Sequence, residues 1–351
     1  MQILNRLQTT TGNKTEGVKR LEYVDTLRVL ACFLVILIHS NMGGDSSVGF
    51  WVGSVSFLGC SSSDLFFAVS GSVVLPVRCS SEQFYKRRFL KLIPPVIIWS
   101  VVTVFVYWML DKYSMAQAVR KILFIPFYQA VSVYWFVYVI IGLYLFAPII
   151  SKWLNEASKK ALELFLGLWS INLLLPYLSL LLDCRFNQSG SHYWYLNYFG
   201  GFLGFWILGY YLRVYPIKIG LNLRWLTVIA GTLGYCSFLA SLKLKGQAVG
   251  VFMDNLQIGC ALLVALIYTI AQNVQIDNKI QKIITDVSKC SFGIYLIHII
   301  VVRELVWRWF APEMCNPMLL SFIIAIISMA LCYVVVKALS YLPKSKYIIG
   351  V

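Results

Sequence analysis

About ten times along the chain, a run of roughly twenty residues passes with almost no charge, and no other property restricts the fold as strongly. The runs lie near 24–43, 50–76, 92–110, 131–150, 160–182, 194–214, 224–242, 251–271, 288–310 and 318–342. A hydrocarbon layer of ~30 Å takes roughly 20 apolar residues of helix to cross. Inside that layer every backbone N–H and C=O must be bonded within the spanning element, which leaves helices and closed barrels. Barrel strands alternate in polarity, whereas these runs are continuously apolar, so helices are expected. The fold class is therefore all-α: a polytopic membrane bundle of about ten transmembrane helices. Composition agrees, with 59% hydrophobic residues, 13% charged and a mean hydropathy of +0.75, against about a quarter charged in soluble domains.

The formal charge of +15 would suit a nucleic-acid partner, but its placement argues for topology instead. Counting loops from the N-terminus, 20 basic residues fall on one side, including Arg78, the Lys86–Lys91 cluster, Lys344 and Lys346. Eight fall on the other: Lys112, Arg120, Lys121, Arg185, Lys243, Lys245, Arg303 and Arg308. The positive-inside rule then puts both termini in the cytoplasm, with inner-leaflet head groups as the default partner of the charge. Residues 1–20 are expected to be a mobile polar tail and 21–351 a single transmembrane domain. The nine cysteines contain no CxxC pair and lie mostly within spans; they are expected to pack as small residues rather than to form disulfides. The first apolar run carries Arg28 and His39 and lacks a clear cleavage site, so it is read as an uncleaved span rather than a secretory signal.

Polar residues that interrupt the apolar pattern are the candidate functional groups. In the first run, Asp25, Arg28 and His39 fall on one helical stripe, since eleven positions at ~100° bring His39 to within ~20° of Arg28 and ~16 Å further along the axis. An arginine facing lipid at depth costs at least ~2.5 kcal/mol, so a polar stripe in a span is expected to face the bundle interior. In CSSSDLFFAVSG, the serines 61–63 can bond their own helix, Asp64 needs a partner or a proton with Arg28 as the nearest candidate, and Ser70–Gly71 reads as a flexible step. In FYKRRFLKLIPP, Arg87, Arg88 and Lys91 form a basic group before Pro94–Pro95, which reads as the opening of the third helix. Topology alone accounts for bases there, yet Arg88 and Lys91 stand one turn apart and suit a phosphate. Tyr134, Trp135 and Tyr138 read as an interfacial aromatic belt. His192 is an outer-loop histidine given no role, while His298 lies within the ninth run with Tyr295 one turn earlier, positioned to share a network.

Taken in order, DTLRVLA followed by His39, SDLFFAVSG, RRFLKLIPP, YWFVYVIIGLYLFAPII and SFGIYLIH resemble the membrane acyltransferase family 3 of bacterial O-acyltransferases over nearly the whole chain. In style they are closest to the branch that contains the O-acetyltransferase of enterobacterial common antigen. The resemblance implies an enzyme of the bacterial inner membrane that moves an acetyl or similar group from acetyl-CoA or another acyl-CoA to a hydroxyl of a lipid-linked or surface glycan. No metal and no nucleic acid are expected; protein partners stay open. It implies that Arg28 and His39 are the essential pair. The family's R-x-x-R signature falls on Arg88 but meets Lys91 at its second arginine, which weakens a bidentate phosphate grip there. No esterase-like domain follows the last run, so the bundle is expected to complete the transfer itself.

A sugar hydroxyl is a weak nucleophile and a thioester has a good leaving group, its thiol pKa being ~8.5, so what acyl transfer lacks is a base. His39 is the expected base or transient acyl carrier, and the sequence leaves both open. Arg28 is expected to hold the coenzyme's anionic part or to stabilise developing charge, with Asp25 or Asp64 orienting it. Arg87, Arg88 and Lys91 are expected at the phosphates, with Tyr295 and His298 in support. The rival reading is a proton-coupled exporter of a glycan or lipid-linked intermediate, since intramembrane Arg, Asp and His also suit transport, although no inverted repeat is evident. A further rival is an assembly partner in glycan export, in which the histidine would be dispensable.

Overall fold

A computed structural model describes residues 21–41, 49–181, 201–217, 255–311, 314 and 316–350. Among them all regular structure is helical. In chain order the helices are α1 (Glu22–His39), α2 (Gly49–Val74), α3 (Ser81–Met109), α4 (Met115–Leu123), α5 (Trp135–Glu156), α6 (Lys159–Leu181), α7 (Phe202–Val214), α8 (Ile258–Asn273), α9 (Asn278–Ile300), α10 (Pro317–Ser340) and the short α11 (Lys346–Ile349). α9 is prolonged by a π turn, Val301–Leu305, and a 3₁₀ turn, Val306–Trp309. Four of the described segments are long and apolar enough to cross a membrane: Ser81–Met109, Ser132–Glu156, Asn278–Trp309 and Met318–Ser340. α7 and α8 are apolar but shorter. The tail 1–20, the run at 224–242 and His192 lie outside the described residues.

Three expectations are corrected. The third helix does not open at Pro94–Pro95; it begins at Ser81, where the Ser80 hydroxyl accepts the Gln83 N–H at 3.3 Å, and both prolines lie inside it. Pro95 has no N–H to give the Lys91 carbonyl, and the turn at Gly350 packs on that carbonyl; a Cβ at Gly350 would stand 2.9 Å from it. Ser70–Gly71 is not a flexible step either. α2 runs on to Val74, and Gly71 is a notch: a Cβ there would lie 1.8 Å from the Trp206 carbonyl oxygen, and one at Gly209 1.8 Å from that of Ala68. These paired glycines let the α2 and α7 backbones touch, the small-residue packing that membrane bundles favour. Finally, Tyr134 is not part of a lipid-facing belt. It is fully buried and its hydroxyl donates to the Leu296 carbonyl at 2.6 Å, while that of Tyr138 donates to Ile125 and, at 3.2 Å, to Tyr128.

Cross-contacts fix helix directions and so define two ends. α1 and α9 run parallel: Asp25 meets Thr285 and Ser288, the Cys32 sulfur meets the Ser291 carbonyl at 3.7 Å, and His39 meets His298. α3 runs with them, reaching α9 through Lys112–Glu304 at 2.6 Å just beyond its last turn. α10 returns antiparallel, with Lys337 2.6 Å from Asp286. α11 folds back on α3 and α9 at the starting end, where the Trp99 indole N–H donates to the Ile348 carbonyl at 2.9 Å and Ile349 is buried. One end therefore gathers the starts of α1, α3 and α9 with α11; the other gathers His39, α4 and the π turn. The described cysteines 32, 79, 260, 290 and 332 are free thiols.

Candidate active site

At the starting end, the first turns of α3 and the α11 segment enclose an open cavity of about 1030 Å³, above the usual range of roughly 300–1,000 Å³ for small-molecule sites. Its lining holds five cations, Lys86, Arg87, Arg88, Lys91 and Lys346, against the single carboxylate of Glu82, with Ser80, Gln83 and Tyr347 between them. The three sequence-predicted phosphate residues Arg87, Arg88 and Lys91 thus share one surface. Lys86 and Lys346 join them, Lys346 through a fold-back that no local sequence signal marks. Arg88 is half-buried and laid over two rings, 5.8 Å from Phe84 and 5.7 Å from Tyr144, which fixes its guanidinium plane. The cavity also borders the N-terminal turn of α3, whose dipole favours anions. A polyanion several atoms long can be held here by charge from both walls.

At the same end, Asp25 is 1% exposed and accepts from Ser288 at 2.7 Å and Thr285 at 3.2 Å. The Arg28 guanidinium lies 3.8 Å from it and is 31% exposed. The carboxylate is thus buried but paired and hydrogen-bonded, as a charge in an apolar interior must be, while Arg28 keeps one side open. Asp64, in the middle of α2, is fully buried.

The opposite end holds the histidines. The His39 and His298 rings lie 5.3 Å apart at 37°, His39 half-buried and His298 wholly buried. His298 Nδ1 contacts the Tyr295 carbonyl oxygen. A carbonyl only accepts, so Nδ1 carries the hydrogen and Nε2 of the neutral ring presents a lone pair. That Nε2 is buried and has no partner among the described residues. The Tyr295 hydroxyl is spent on the Val133 carbonyl, so Tyr295 supports His298 through its backbone and through ring contact at 5.5 Å. Tyr134 braces the same turn from the Leu296 side. The result is a fixed imidazole with an available base atom beside a second imidazole at the helix terminus. Sequence reading marked both histidines but had no means to pair them, since they stand 259 positions apart.

Arg28 and His39 are not brought together: Arg28 lies in the first half of α1 and His39 at its last residue, separated by the ~16 Å that their spacing requires. No cluster of three or more metal-ligating side chains occurs among the described residues. A family profile described as acyltransferase domain matches residues 21–337. No curated protein and no solved structure matches the chain.

Proposed function

The chain belongs to acyltransferase family 3, and from that premise we propose a membrane O-acyltransferase that moves an acetyl group from acetyl-CoA to a hydroxyl of a surface or lipid-linked glycan. The observation that carries this reading is the division of the bundle into a five-cation cavity at one end and a histidine pair with an unpartnered base atom at the other. In the proposed setting both termini are cytoplasmic, about ten helices span the bacterial inner membrane, and the basic cavity faces the coenzyme pool. Arg87, Arg88, Lys91, Lys86 and Lys346 hold phosphates. Arg28 binds a further anionic part of the donor, a role that suits its half-open position and its distance from the histidines.

The chemistry then needs a base at the acceptor hydroxyl. The hydroxyl oxygen attacks the thioester carbon, its proton passes to an imidazole lone pair, the C–S bond breaks, and the departing thiolate takes that proton back. His39 accepts the proton or carries the acyl group, with His298 Nε2 as the second basic atom; general-base help of this kind is worth ~10²–10⁴ in rate. The test is mass spectrometry of surface glycan from cells expressing the wild type or His39→Ala at equal levels. Loss of one acetyl mass per modified sugar in the variant supports the reading. Acetylation at the parental level rejects it, and purified protein that binds no acetyl-CoA points to export instead.

A further inference from the structure

The histidine end carries a second cavity, which no step above uses. It lies on α4, which stands between two segments long and apolar enough to span, Ser81–Met109 and Ser132–Glu156. At nine residues α4 is ~14 Å long, too short to cross a hydrocarbon layer of ~30 Å. Its sequence is sided. At ~100° per residue the exposed Met115, Val119 and Leu123 fall within ~80° of one another, and Gln117, Arg120 and Lys121 occupy the opposite sector. Phe127, just beyond the helix, is 83% exposed. A helix with an apolar flank and a cationic flank suits the plane of a membrane interface.

The cavity opens on the polar flank and measures about 460 Å³, within the range of roughly 300–1,000 Å³ for small-molecule sites. Gln117, Arg120, Lys121, Phe124, Tyr128 and Ala130 line it, and no carboxylate does. In the capping box of α4 the Ser114 N–H donates to Gln117 Oε1 at 2.9 Å, so what the Gln117 amide has left to offer is its N–H pair. Both cations are placed by contacts. The half-buried Lys121 reaches the Ala130 carbonyl with Nζ at 3.4 Å and lies 5.0 Å from the Tyr113 ring centroid, while the Arg120 guanidinium lies 6.0 Å from that of Phe124. Donors and positive charge converge here beside two rings, which is the chemistry that holds a phosphate. The far wall is tied to the histidine helix. Three residues after Ala130, a span of at most ~11 Å, the Val133 carbonyl accepts the Tyr295 hydroxyl, and the Tyr295 ring lies 5.5 Å from that of His298.

We propose that this cavity seats the phosphate that joins lipid to sugar in a lipid-linked glycan acceptor. The inference deepens the acyl-transfer reading above and rests on it. Two observations favour this occupant over a soluble anionic glycan. The cations stand on a helix whose other flank is apolar and exposed, so a phosphate bound there lies at the depth of a lipid head group, with its chain beside Met115, Val119 and Leu123. The cavity wall also continues through Val133 and Tyr295 to His298, so the sugars nearest the linking phosphate are the ones brought to the base. Transfer then precedes whichever reaction cleaves that phosphate and frees the glycan from its lipid.

The test uses full-length protein in phosphatidylcholine nanodiscs with a fluorescent polyprenyl phosphate as probe, and reads probe affinity beside acetyl-CoA affinity. The wild type should bind the probe. The double variant Arg120→Gln, Lys121→Gln should bind it at least ~10-fold more weakly, two charge-assisted bonds being lost. Its acetyl-CoA affinity should be unchanged, which reports that the fold and the distant basic cavity are intact. Arg120→Lys with Lys121→Arg keeps both charges and should retain most of the binding. A neutral double variant that binds the probe as tightly as the wild type overturns the proposal. So does competition by phosphatidylglycerol or inorganic diphosphate as strong as that by unlabelled polyprenyl phosphate, the first marking a general anionic-lipid surface and the second a soluble-anion site. A wild type that releases thiol in native-membrane nanodiscs yet does not bind the probe overturns this site and leaves the enzyme reading standing. One that binds the probe and releases no thiol there keeps the phosphate site and overturns acyl transfer.

Discussion

The two ends of the bundle are built from different materials. At the basic end, five cations are spread over exposed or half-exposed first turns and a folded-back segment, with one ring-stacked arginine as the fixed point. At the histidine end the polar atoms are few, and the central one, His298, is wholly buried and held by a backbone carbonyl. A surface of mobile cations can hold a flexible polyanion at modest cost per contact and is sensitive to salt. A buried imidazole in a water-poor setting makes a small number of strong, oriented interactions. Under the proposed function this contrast separates binding from chemistry, and variants at the two ends should fail in different ways.

The sharpest way to break that separation lies at the histidine end. His39→Ala and His298→Ala should each lower transfer by roughly 10²–10⁴, with acetyl-CoA affinity retained; isothermal titration against thiol release distinguishes the two effects. Next in size is Arg88→Ala. Loss of a charge-assisted hydrogen bond of ~1.5–3 kcal/mol corresponds to a weakening of acetyl-CoA binding by roughly 10–150-fold, with turnover at saturating donor unchanged. A smaller effect is expected for salt: raising ionic strength from 0.1 to about 0.5 M should raise the KM for acetyl-CoA several-fold and leave kcat alone. Lys346→Gln should weaken donor binding least, by a few-fold at an exposed single charge. Gly350→Ala should reproduce that small loss, because its Cβ would press 2.5 Å from Phe292 at a φ of +73° and push α11, with Lys346, off the cavity wall.

How much of this was readable in the chain follows from which interactions are local. The helix α1 and its stripe were legible, since Asp25, Arg28 and His39 are set by position along one helix. The basic group on α3 was legible for the same reason, although the start of that helix was not: Ser80–Gln83 capping lies in a polar stretch that an apolar-run criterion excludes. Gly71 was misread because a glycine that relieves a backbone contact across helices and one that loosens its own helix look alike in sequence. Tyr134 was misread because an aromatic that buries itself against Leu296 and one that sits at a lipid interface occupy the same kind of position. The pairing of His39 with His298 and the arrival of Lys346 at Arg88 are tertiary.

The separation of binding from chemistry is tested most directly by one crossed measurement on purified protein in native-membrane nanodiscs: acetyl-CoA affinity and thiol-release rate for the wild type, Arg88→Ala and His298→Ala. Expected is a clean crossing, in which Arg88→Ala binds weakly but turns over normally at saturation, and His298→Ala binds normally but turns over at least ~10²-fold more slowly. A His298→Ala protein that binds and releases thiol at the wild-type rate, or two variants that lose both properties together, would contradict it.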